Sequence, residues 1–289
     1  MPAGEWDPPD RTVRGVVHKA KKLAASASFS VREPMILLIS DVHLGRADPE
    51  TDRAVEADLI ACLDHHRDEV EHLYLLGDLF DEFIEYRRLV PKGFARLQGR
   101  LAEWTDAGIS VSYLVGNHDP WHIDYFEEEL GVRVEFGPVV RRHHGRTLYL
   151  AHGDVLSEES MARGWLKGWL RHPLPVWIYR SILPGDVGMW LATTVNNSFG
   201  NRDLDRDLVE RLRVKARRIL SDSTVDVVIF GHSHYPELHV WPEGGYLNSG
   251  YWHESRTFGR LHDGALQLVR WNGHSADVVQ DYLTPADSS

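Results

Sequence analysis

The sequence predicts an α/β fold in which a largely parallel β-sheet is covered by helices on both faces. Short, nearly continuous apolar runs such as residues 73–76 (LYLL) are typical of strands that are buried on both sides. Segments with helical spacing, such as residues 53–66, separate these runs, and helices are the usual crossovers between parallel strands. Several runs end on Asp, Asn or His. We therefore expect polar side chains to meet at the carboxyl edge of a sheet, where such folds bind ligands.

The first strand is predicted at residues 35–39 (MILLI), and Asp41 and His43 follow it. Because these residues are two positions apart, their side chains point the same way on an extended segment. Such a pair can share one metal ion. The pair alone is a weak indication, since an acidic strand end with a nearby histidine is common.

The second strand follows the predicted helix at residues 53–66 and ends at Gly77. The carboxylate of Asp78 is thereby carried to the carboxyl edge of the sheet. It lies in the middle of the series of polar strand ends. A carboxylate in that position could bridge two metal ions.

A helix is predicted at residues 93–107 and a strand at 109–115, which leads into the sequence GNHDP. Asn117 offers a neutral oxygen ligand. His118 could donate a proton to a leaving oxygen, with Asp119 orienting its ring. The alternative is a loop in which Asn117 and Asp119 only cap turns or the next helix.

Further strand ends carry histidines. Elements are predicted at residues 121–130 (a helix) and at 132–135, 139–142 and 146–151 (strands), and the last strand ends at His152. A β-branched run at residues 225–230 precedes His232 and His234, which are again two positions apart. A lone histidine in such a place is more often a satisfied core residue than a ligand. Five strand ends that all deliver Asp, Asn or His are hard to assign to chance.

The candidate metal ligands are three oxygen donors and four imidazoles: Asp41, His43, Asp78, Asn117, His152, His232 and His234. This mixture suits Mn²⁺, Fe²⁺ or Zn²⁺, and we expect Mn²⁺. Two ions ~3.5–4 Å apart can be held if Asp78 bridges them. Asp41, His43 and His234 would then bind one ion, and Asn117, His152 and His232 the other. Such a pair of ions supports hydrolysis of phosphate esters or anhydrides.

The series of motifs resembles the calcineurin-like metallophosphoesterase superfamily over residues 35–250. The matching segments are DVH after the first strand, GD after the second, GNHD after the third, HGD at residues 152–154 and GHSH at 231–234. The resemblance implies a four-layer α/β/β/α sandwich with a helical insertion, in place of a single parallel sheet. It also implies a dimetal centre at the carboxyl ends of the strands. Strands at residues 238–241, 245–248 and 265–271 are expected to complete the second sheet.

Within the superfamily, the phrases GDLFDEF and AHGDVLSEE and the long helical insert resemble the UDP-2,3-diacylglucosamine hydrolases of lipid A biosynthesis. The resemblance implies cleavage of the substrate pyrophosphate to UMP and lipid X (2,3-diacylglucosamine 1-phosphate). The best-known members carry arginine at the position of His118, so leaving-group and substrate contacts can differ there. His118 matches the usual general acid of the wider superfamily.

The insert, residues 157–222, interleaves aromatic and cationic side chains. Trp165 and Trp169 are the candidates for contact with acyl chains or a membrane surface. The alternative is a helical cap whose aromatic residues simply pack on the sandwich. Asn197 and Arg202 lie where the family places glycosyl and phosphate contacts, although capping at the surface explains them equally well. The charged helix predicted at residues 203–220 is expected to be a solvated face.

The composition bounds the partners and the compartment. A net charge of −11 argues against a nucleic acid partner, because phosphate backbones require a dominant basic field. The single Cys62 excludes an intrachain disulfide. The chain lacks an apolar run of ~18 residues and the apolar region of a secretory signal. We therefore expect a cytoplasmic protein that associates peripherally with the membrane, while the sequence does not indicate its oligomeric state.

Residues 1–33 are expected to form an extension, either a flexible tail or a surface helix, before a catalytic domain at residues 34–285. Two alternative functions stay open at this point. One is a phosphodiesterase or nucleotidase of the same fold that acts on a soluble substrate. The other is a non-catalytic scaffold, which would be expected to lack some of the seven ligands.

Overall fold

The computed structural model describes residues 34–154, 205–262 and 264–283, together with a few single positions between 179 and 194. Several predictions lie outside the described residues: the extension at 1–33, Trp165, Trp169, Asn197, Arg202 and the tail from residue 284. Within the described part of the chain, no helix combines the length and the apolar character needed to cross a membrane.

The described elements alternate between strand and helix from residue 35 to residue 135, as the sequence predicts, and most of the later elements are strands. The strands are β1 (Met35–Ile39), β2 (Val70–Leu75), β3 (Ser110–Leu114), β4 (Arg133–Glu135), β5 (Val139–His143), β6 (Arg146–Leu150), β7 (Val227–Phe230), β8 (Glu237–Trp241), β9 (Gly244–Asn248), β10 (Thr257–His262), β11 (Ala265–Trp271) and β12 (Ala276–Leu283). The helices are α1 (Pro49–His66), α2 (Ala95–Asp106), α3 (Tyr125–Glu128), α4 (Arg206–Asp222) and α5 (Trp252–Ser255).

The strands form two sheets. The first has the order β12-β11-β10-β1-β2-β3-β4, with β1 to β4 parallel and β10 to β12 antiparallel. The second has the order β5-β6-β7-β9-β8, in which β6, β7 and β9 run parallel. The parallel strands of each sheet bring their carboxyl ends to one edge, and these ends carry the predicted site residues.

Both faces of the first sheet are buried, which explains the unbroken apolar run of β1. Met35, Leu37 and Ile39 belong to the apolar cluster that includes Leu59 of α1 and Leu101 of α2. The intervening side chains, Ile36 and Leu38, belong instead to the cluster shared with the second sheet. Successive side chains of a strand point to opposite faces, so a strand with apolar contacts on both sides needs apolar residues at every position.

The outer face of the second sheet is covered by α4. Leu212, Ala216 and Leu220 recur at helical spacing and pack with Val228 and Phe230 of β7. The described layers are therefore helix, sheet, sheet and helix. The four-layer α/β/β/α fold class implied by the family resemblance is confirmed.

Several predicted elements were wrong in extent or in partner. Residues 265–271 form a strand, but β11 pairs with β10 and β12 in the first sheet and does not complete the second. The strands β10 and β12 were not predicted. The helix expected at 121–130 is only the four residues of α3. In this region Glu85 accepts three backbone N–H groups of residues 123–125, so a distant side chain fixes the local backbone.

Candidate metal centre

The structure brings the polar ends of several strands together. Asp41, His43 and His234 form one group whose candidate ligand atoms lie within 4.8 Å of one another. Asp78, His152 and His232 form a second such group. The division matches the pairing predicted from the sequence, in which each ion takes ligands from different strands.

The side chains of Asn117 and Asp78 both lie close to the ring of His152. The Oδ1 atom of Asn117 is 3.1 Å from Nε2 of His152. The Oδ2 atom of Asp78 is 3.3 Å from Nε2 of His152 and 3.5 Å from Nε2 of His43. The carboxylate of Asp78 therefore contacts a histidine of each group, which is the position expected of a bridging ligand.

In the first group, the rings of His43 and His234 lie next to the carboxylate of Asp41. Its Oδ1 atom is 3.4 Å from Nε2 of His234 and 3.9 Å from Nε2 of His43. The two histidine nitrogens are 3.1 Å apart. The backbone N–H of His232 donates to both oxygens of Asp41, at 3.1 and 2.9 Å. The loops that follow β1 and β7 are thereby tied together at the centre.

Two of the histidine rings are held in a defined orientation. Nδ1 of His152 donates to the carbonyl oxygen of Leu76 at 2.8 Å. Nδ1 of His43 donates to Oδ1 of Asp81 at 3.1 Å. In both rings Nε2 is left as the nitrogen that faces the carboxylates. Metal-ligating histidines commonly donate their other N–H in this way, which fixes the tautomer and the ring orientation.

The backbone of the centre is strained. Five of the predicted ligands have a positive φ: Asp41, His43, Asp78, His232 and His234, with φ between 48° and 68°. Non-glycine residues adopt this left-handed region rarely, and each costs on the order of 1–3 kcal/mol. The packing of the rest of the fold stabilises this conformation. As a consequence, the side chains of these residues point inward from the strand ends.

Two glycines allow the loops to approach one another closely. A Cβ atom on Gly116 would clash with the carboxylate and the backbone nitrogen of Asp78. A Cβ atom on Gly231 would lie 2.5 Å from Oδ2 of Asp41. Both glycines directly precede predicted site residues in the chain. Any larger residue would displace the carboxylates on which the centre is built.

His118 lies at the edge of the centre, between the loops after β2 and β3. Its Nδ1 atom donates to the carbonyl oxygen of Asp81 at 3.0 Å and is 3.5 Å from that residue's Oδ1. Its backbone N–H donates to Oδ1 of Asp78 at 2.9 Å. His43, Asp81 and His118 form a third group of clustered ligand atoms. Asp81 therefore contacts both a predicted ligand and the predicted proton donor.

Comparison with known proteins identifies the family. The sequence profile described as calcineurin-like phosphoesterase matches residues 34–236. The chain belongs to this family. The family consists of metal-dependent hydrolases, and membership implies a dinuclear metal site, for which the groups described above supply candidate ligands.

The curated relatives are consistent with this assignment. A UDP-2,3-diacylglucosamine hydrolase of Porphyromonas gingivalis is 32% identical over 220 residues, which cover 69% of this chain and 82% of that protein. A Pseudomonas fluorescens protein of the same name is 30% identical and covers 71% of this chain and 80% of its own length. The solved structure of the E. coli phosphoesterase Yfce is 18% identical, with a TM-score of 0.44, and covers 86% of this chain and 98% of its own.

The buried charges fit a centre of calcineurin-like type. Asp41, Asp78 and His43 are at most 1% exposed. Burial acts to raise the pKa of Asp41, but its hydrogen bond with His234 and the charge of that ring outweigh burial and lower the pKa to about 2. Burial lowers the pKa of His43 to about 4. An ionised Asp41 and a neutral His43 are the protonation states that bind divalent cations. Burial acts to lower the pKa of His152, but the charge of Asp78 raises it, so metal binding there would release a proton.

The role predicted for Asp119 is wrong. Its carboxylate accepts hydrogen bonds from the backbone N–H groups of Gly116 and Leu79, both at 2.8 Å, and from the hydroxyl of Tyr113. It therefore holds the loops after β2 and β3 together, whereas Asp81 contacts the ring of His118. Burial, with the charge of Asp78 next, raises the pKa of Asp119 to about 6. Both residues follow a strand end closely, so sequence spacing alone does not distinguish them.

Sequence reasoning assigned no role to Asp81 or Arg46. Nε of Arg46 donates to Oδ1 of Asp81 at 2.7 Å, and its guanidinium lies 5.9 Å from the ring centroid of Tyr251. Tyr251 in turn stacks on His234, with ring centroids 4.7 Å apart. Their positions in the sequence could have indicated a role, because Asp81 is the last residue of the GDLFD motif and Arg46 directly follows DVHLG. The neighbouring Trp252 is fully buried in the core.

Proposed function

We propose that this chain hydrolyses the pyrophosphate of UDP-2,3-diacylglucosamine and releases UMP and 2,3-diacylglucosamine 1-phosphate. The observation that carries the proposal is the convergence of the two ligand groups on Asp78, in a chain whose curated relatives bear the name of that hydrolase. The relatives are matched over about four fifths of their length, so the likeness includes most of each enzyme.

We assign the seven predicted ligands to two divalent cations. Asp41, His43 and His234 would hold one, and Asn117, His152 and His232 the other, with Asp78 between them. We propose Mn²⁺, with Fe²⁺ or Zn²⁺ as alternatives, because imidazole and carboxylate donors suit these metals. Two such cations would neutralise the phosphoryl charge and lower the pKa of an attacking water.

The protein's own proton donor is His118. Its Nδ1 atom is engaged by the carbonyl oxygen of Asp81, so Nε2 is the nitrogen that we assign to the leaving phosphate oxygen. The carboxylate of Asp81 lies 3.5 Å from the same Nδ1 atom and adds a second contact that holds the ring in this orientation. Arg46 holds the same carboxylate from the other side and limits its movement.

The substrate contacts and the place of action are part of the proposal. Trp165 and Trp169 would contact acyl chains, and Asn197 and Arg202 would contact the sugar and phosphate groups. A diacylated substrate resides in a bilayer, so we propose that the protein works peripherally at the inner face of the cytoplasmic membrane. Substitution of Trp165 and Trp169 should then weaken action on acylated substrates selectively.

Phosphorus NMR of the products tests the proposal. Purified protein and Mn²⁺ are incubated with UDP-2,3-diacylglucosamine, and we expect the signals of UMP and of the sugar 1-phosphate to replace the pyrophosphate signals. Unchanged substrate, in a preparation that hydrolyses an aryl phosphate diester, would reject the substrate but retain the hydrolase. Inactivity on both substrates in metal-loaded protein would reject the enzyme altogether.

A phosphodiesterase or nucleotidase with a soluble substrate is the second candidate. His118 favours it, because the resemblance places arginine at this position in the best-known UDP-2,3-diacylglucosamine hydrolases. Activity that is independent of detergent and lipid, together with faster turnover of a soluble phosphodiester, would support this alternative. Dependence on a lipid–detergent surface would support the acylated substrate.

A further inference from the structure

The connection between β2 and α2 carries an exposed segment that the metal centre does not use. We call residues 86–92 (YRRLVPK) the basic–apolar loop. The side chains of Leu89 and Val90 are 64% and 39% exposed, respectively. Arg87, Arg88 and Lys92 are exposed beside them. Exposed aliphatic side chains flanked by cations are typical of a surface that contacts another phase or partner.

The loop is held in place by hydrogen bonds. The N–H of Tyr86 donates to the carbonyl oxygen of Leu89 at 2.9 Å, and the reverse bond is 3.3 Å long. Arg87 and Arg88 therefore occupy the two central positions of a tight turn. The preceding Glu85 accepts the N–H of Ile123 at 2.7 Å, which attaches the base of the turn to the body. The exposed side chains are thus presented from a fixed base.

The charge of the loop is opposite to that of the whole protein. The chain has a net charge of −11, yet three of the seven loop residues are cations. Among the described residues, Arg87, Arg88 and Lys92 have no ion pair with a carboxylate. A local basic site on an acidic protein is not needed for solubility. It is available for an anionic partner.

Two further exposed aliphatic residues belong to segments that contact the loop or its base. Ile123 is 37% exposed and is attached to Glu85 through its backbone. Gly185 lies near Leu89 and Tyr86, and Ile182, three residues earlier in the chain, is 71% exposed. The segments that contact the loop therefore also carry exposed apolar side chains. One exposed turn alone would provide less area for insertion.

The loop also adjoins a cavity that leads toward the metal centre. The cavity has a volume of about 340 Å³, and Pro91 and Lys92 of the loop contribute to its lining. Phe94 lies on its wall, and Arg46 and Asp81 form the side nearest the predicted metal ligands. A partner that touches the loop would therefore lie at the mouth of this cavity.

We propose that the basic–apolar loop docks this protein on an anionic lipid bilayer. Leu89 and Val90 enter the interfacial region, and the three cations contact lipid phosphates. Aliphatic insertion and attraction to anionic lipids reinforce each other, because both require the same orientation at the surface. The docking itself is independent of the proposed reaction. Only the advantage for an acylated substrate rests on the proposed function.

Vesicle sedimentation tests the proposal with the full-length protein. Wild type is mixed with vesicles of phosphatidylglycerol and phosphatidylcholine, or of phosphatidylcholine alone. We expect binding to the anionic vesicles that weakens as salt is raised. Arg87→Gln combined with Arg88→Gln should weaken binding roughly 25-fold, at about five-fold per charge. Leu89→Ser should weaken vesicle binding by about ten-fold at low and at high salt alike, because it removes apolar area and no charge.

Matched substitutions elsewhere control for loss of charge and of apolar surface. Val214 of α4 is 62% exposed, close to the value for Leu89, and Val214→Ser should leave vesicle binding unchanged. Arg217→Gln combined with Arg218→Gln removes two cations from the same helix and should also leave it unchanged. Equal weakening by the loop and control variants would reject the loop as the docking element. Absence of anionic-vesicle binding by wild type would reject membrane docking.

Activity on a soluble aryl phosphate diester separates this proposal from the proposed function. The Arg87, Arg88 and Leu89 variants should keep the wild-type rate on that substrate while losing vesicle binding. If wild type binds vesicles but does not cleave UDP-2,3-diacylglucosamine, docking stands and the proposed substrate fails. A second copy of this chain is the other candidate to cover the loop, and sedimentation velocity tests for it. A dimer that depends on the loop, without vesicle binding that depends on the loop, would overturn the proposal.

Discussion

Two clusters of histidines and carboxylates in this protein differ in what they can bind. The metal centre lies at the strand ends. A second cluster, here called the β2–β5 cluster, consists of residues from β2 and from the end of β5 with the residue that follows it: Glu71, His72, Tyr74, His143 and His144. In the latter, Nδ1 of His143 and Nε2 of His144 are 3.7 and 3.6 Å from the two oxygens of Glu71. The residue types resemble those of the centre. The geometry does not.

The difference lies in orientation and burial. Nε2 of His143 is paired with the hydroxyl of Tyr74 at 2.7 Å, so this nitrogen does not face the carboxylate. The side chain of Glu71 is 46% exposed, whereas that of Asp78 is 2% exposed. Among the described residues, the groups with converging ligand atoms do not include the β2–β5 cluster. Composition alone therefore does not make a metal site; buried carboxylates and oriented rings are also required.

The largest difference between the two clusters is expected when Asp78, the proposed bridging ligand, is substituted. Asp78→Asn keeps the shape of the side chain but removes its charge, and we expect turnover to fall by at least about 10³-fold with loss of bound Mn²⁺. Steady-state rates and metal analysis of the purified protein measure both. Glu71→Gln makes the same chemical change in the β2–β5 cluster and should alter neither. Wild-type turnover in Asp78→Asn would refute the assignment.

The proton-donor role of His118 predicts an effect that depends on the leaving group. His118→Ala should lower the rate on a poor leaving group by ~10²–10⁴-fold, because positioned proton transfer contributes about that much. An activated aryl phosphate needs little protonation and should lose less than about ten-fold. His143→Ala in the β2–β5 cluster provides the control and should leave both rates unchanged. Equal losses on the two substrates would exclude the general-acid role.

A smaller effect is expected for Asp81, which contacts His43 and His118. Asp81→Asn should lower turnover or Mn²⁺ affinity by ~10–100-fold, the usual range for a residue that orients metal ligands. The effect should include a changed pH–rate profile, because the carboxylate beside His118 is lost. Asp81→Glu retains the charge and should recover part of the activity. A pH profile identical to wild type in Asp81→Asn would leave Asp81 with a purely structural role.

The smallest effect concerns stability and falls in the β2–β5 cluster. Burial, followed by the charges of His143 and Arg141, lowers the pKa of His72 to about 4. The unfolded chain then binds a proton that the folded protein does not bind between pH 6.5 and 4, so stability is present above pH 6.5 and falls as the pH is lowered. After allowance for solvent screening, we expect a loss of about 1 kcal/mol or less by pH 5.

His72→Gln removes this titration and keeps a hydrogen-bonding group near Ser112, whose hydroxyl is 2.9 Å from Nε2 of His72. Urea unfolding at pH 7 and pH 5 should show a smaller pH dependence in the variant than in wild type. Identical slopes in the two proteins would show that His72 does not contribute. Lys92→Gln, at an exposed position outside the cluster, should retain the wild-type slope.

Much of the fold and of the candidate site follows from local sequence patterns. An unbroken apolar run such as MILLI identifies a strand that is buried on both faces, because every side chain of β1 meets an apolar layer. A polar residue directly after such a run must lie at the carboxyl edge. That reasoning, together with the family resemblance, was sufficient to select Asp41, Asp78 and His152, which the structure brings into contact.

The sequence did not determine which strands pair or which groups form hydrogen bonds with each other. The strand at residues 265–271 was correctly predicted, yet its apolar pattern suits either sheet, and only pairing with β10 assigns it to the first. Asp81 and Asp119 each follow a strand end, and only the tertiary structure turns one toward His118 and the other toward backbone N–H groups. A local pattern determines the type of element and the side on which a residue emerges. The groups that meet there come from distant parts of the chain, so their hydrogen-bond partners are decided by packing of the complete fold.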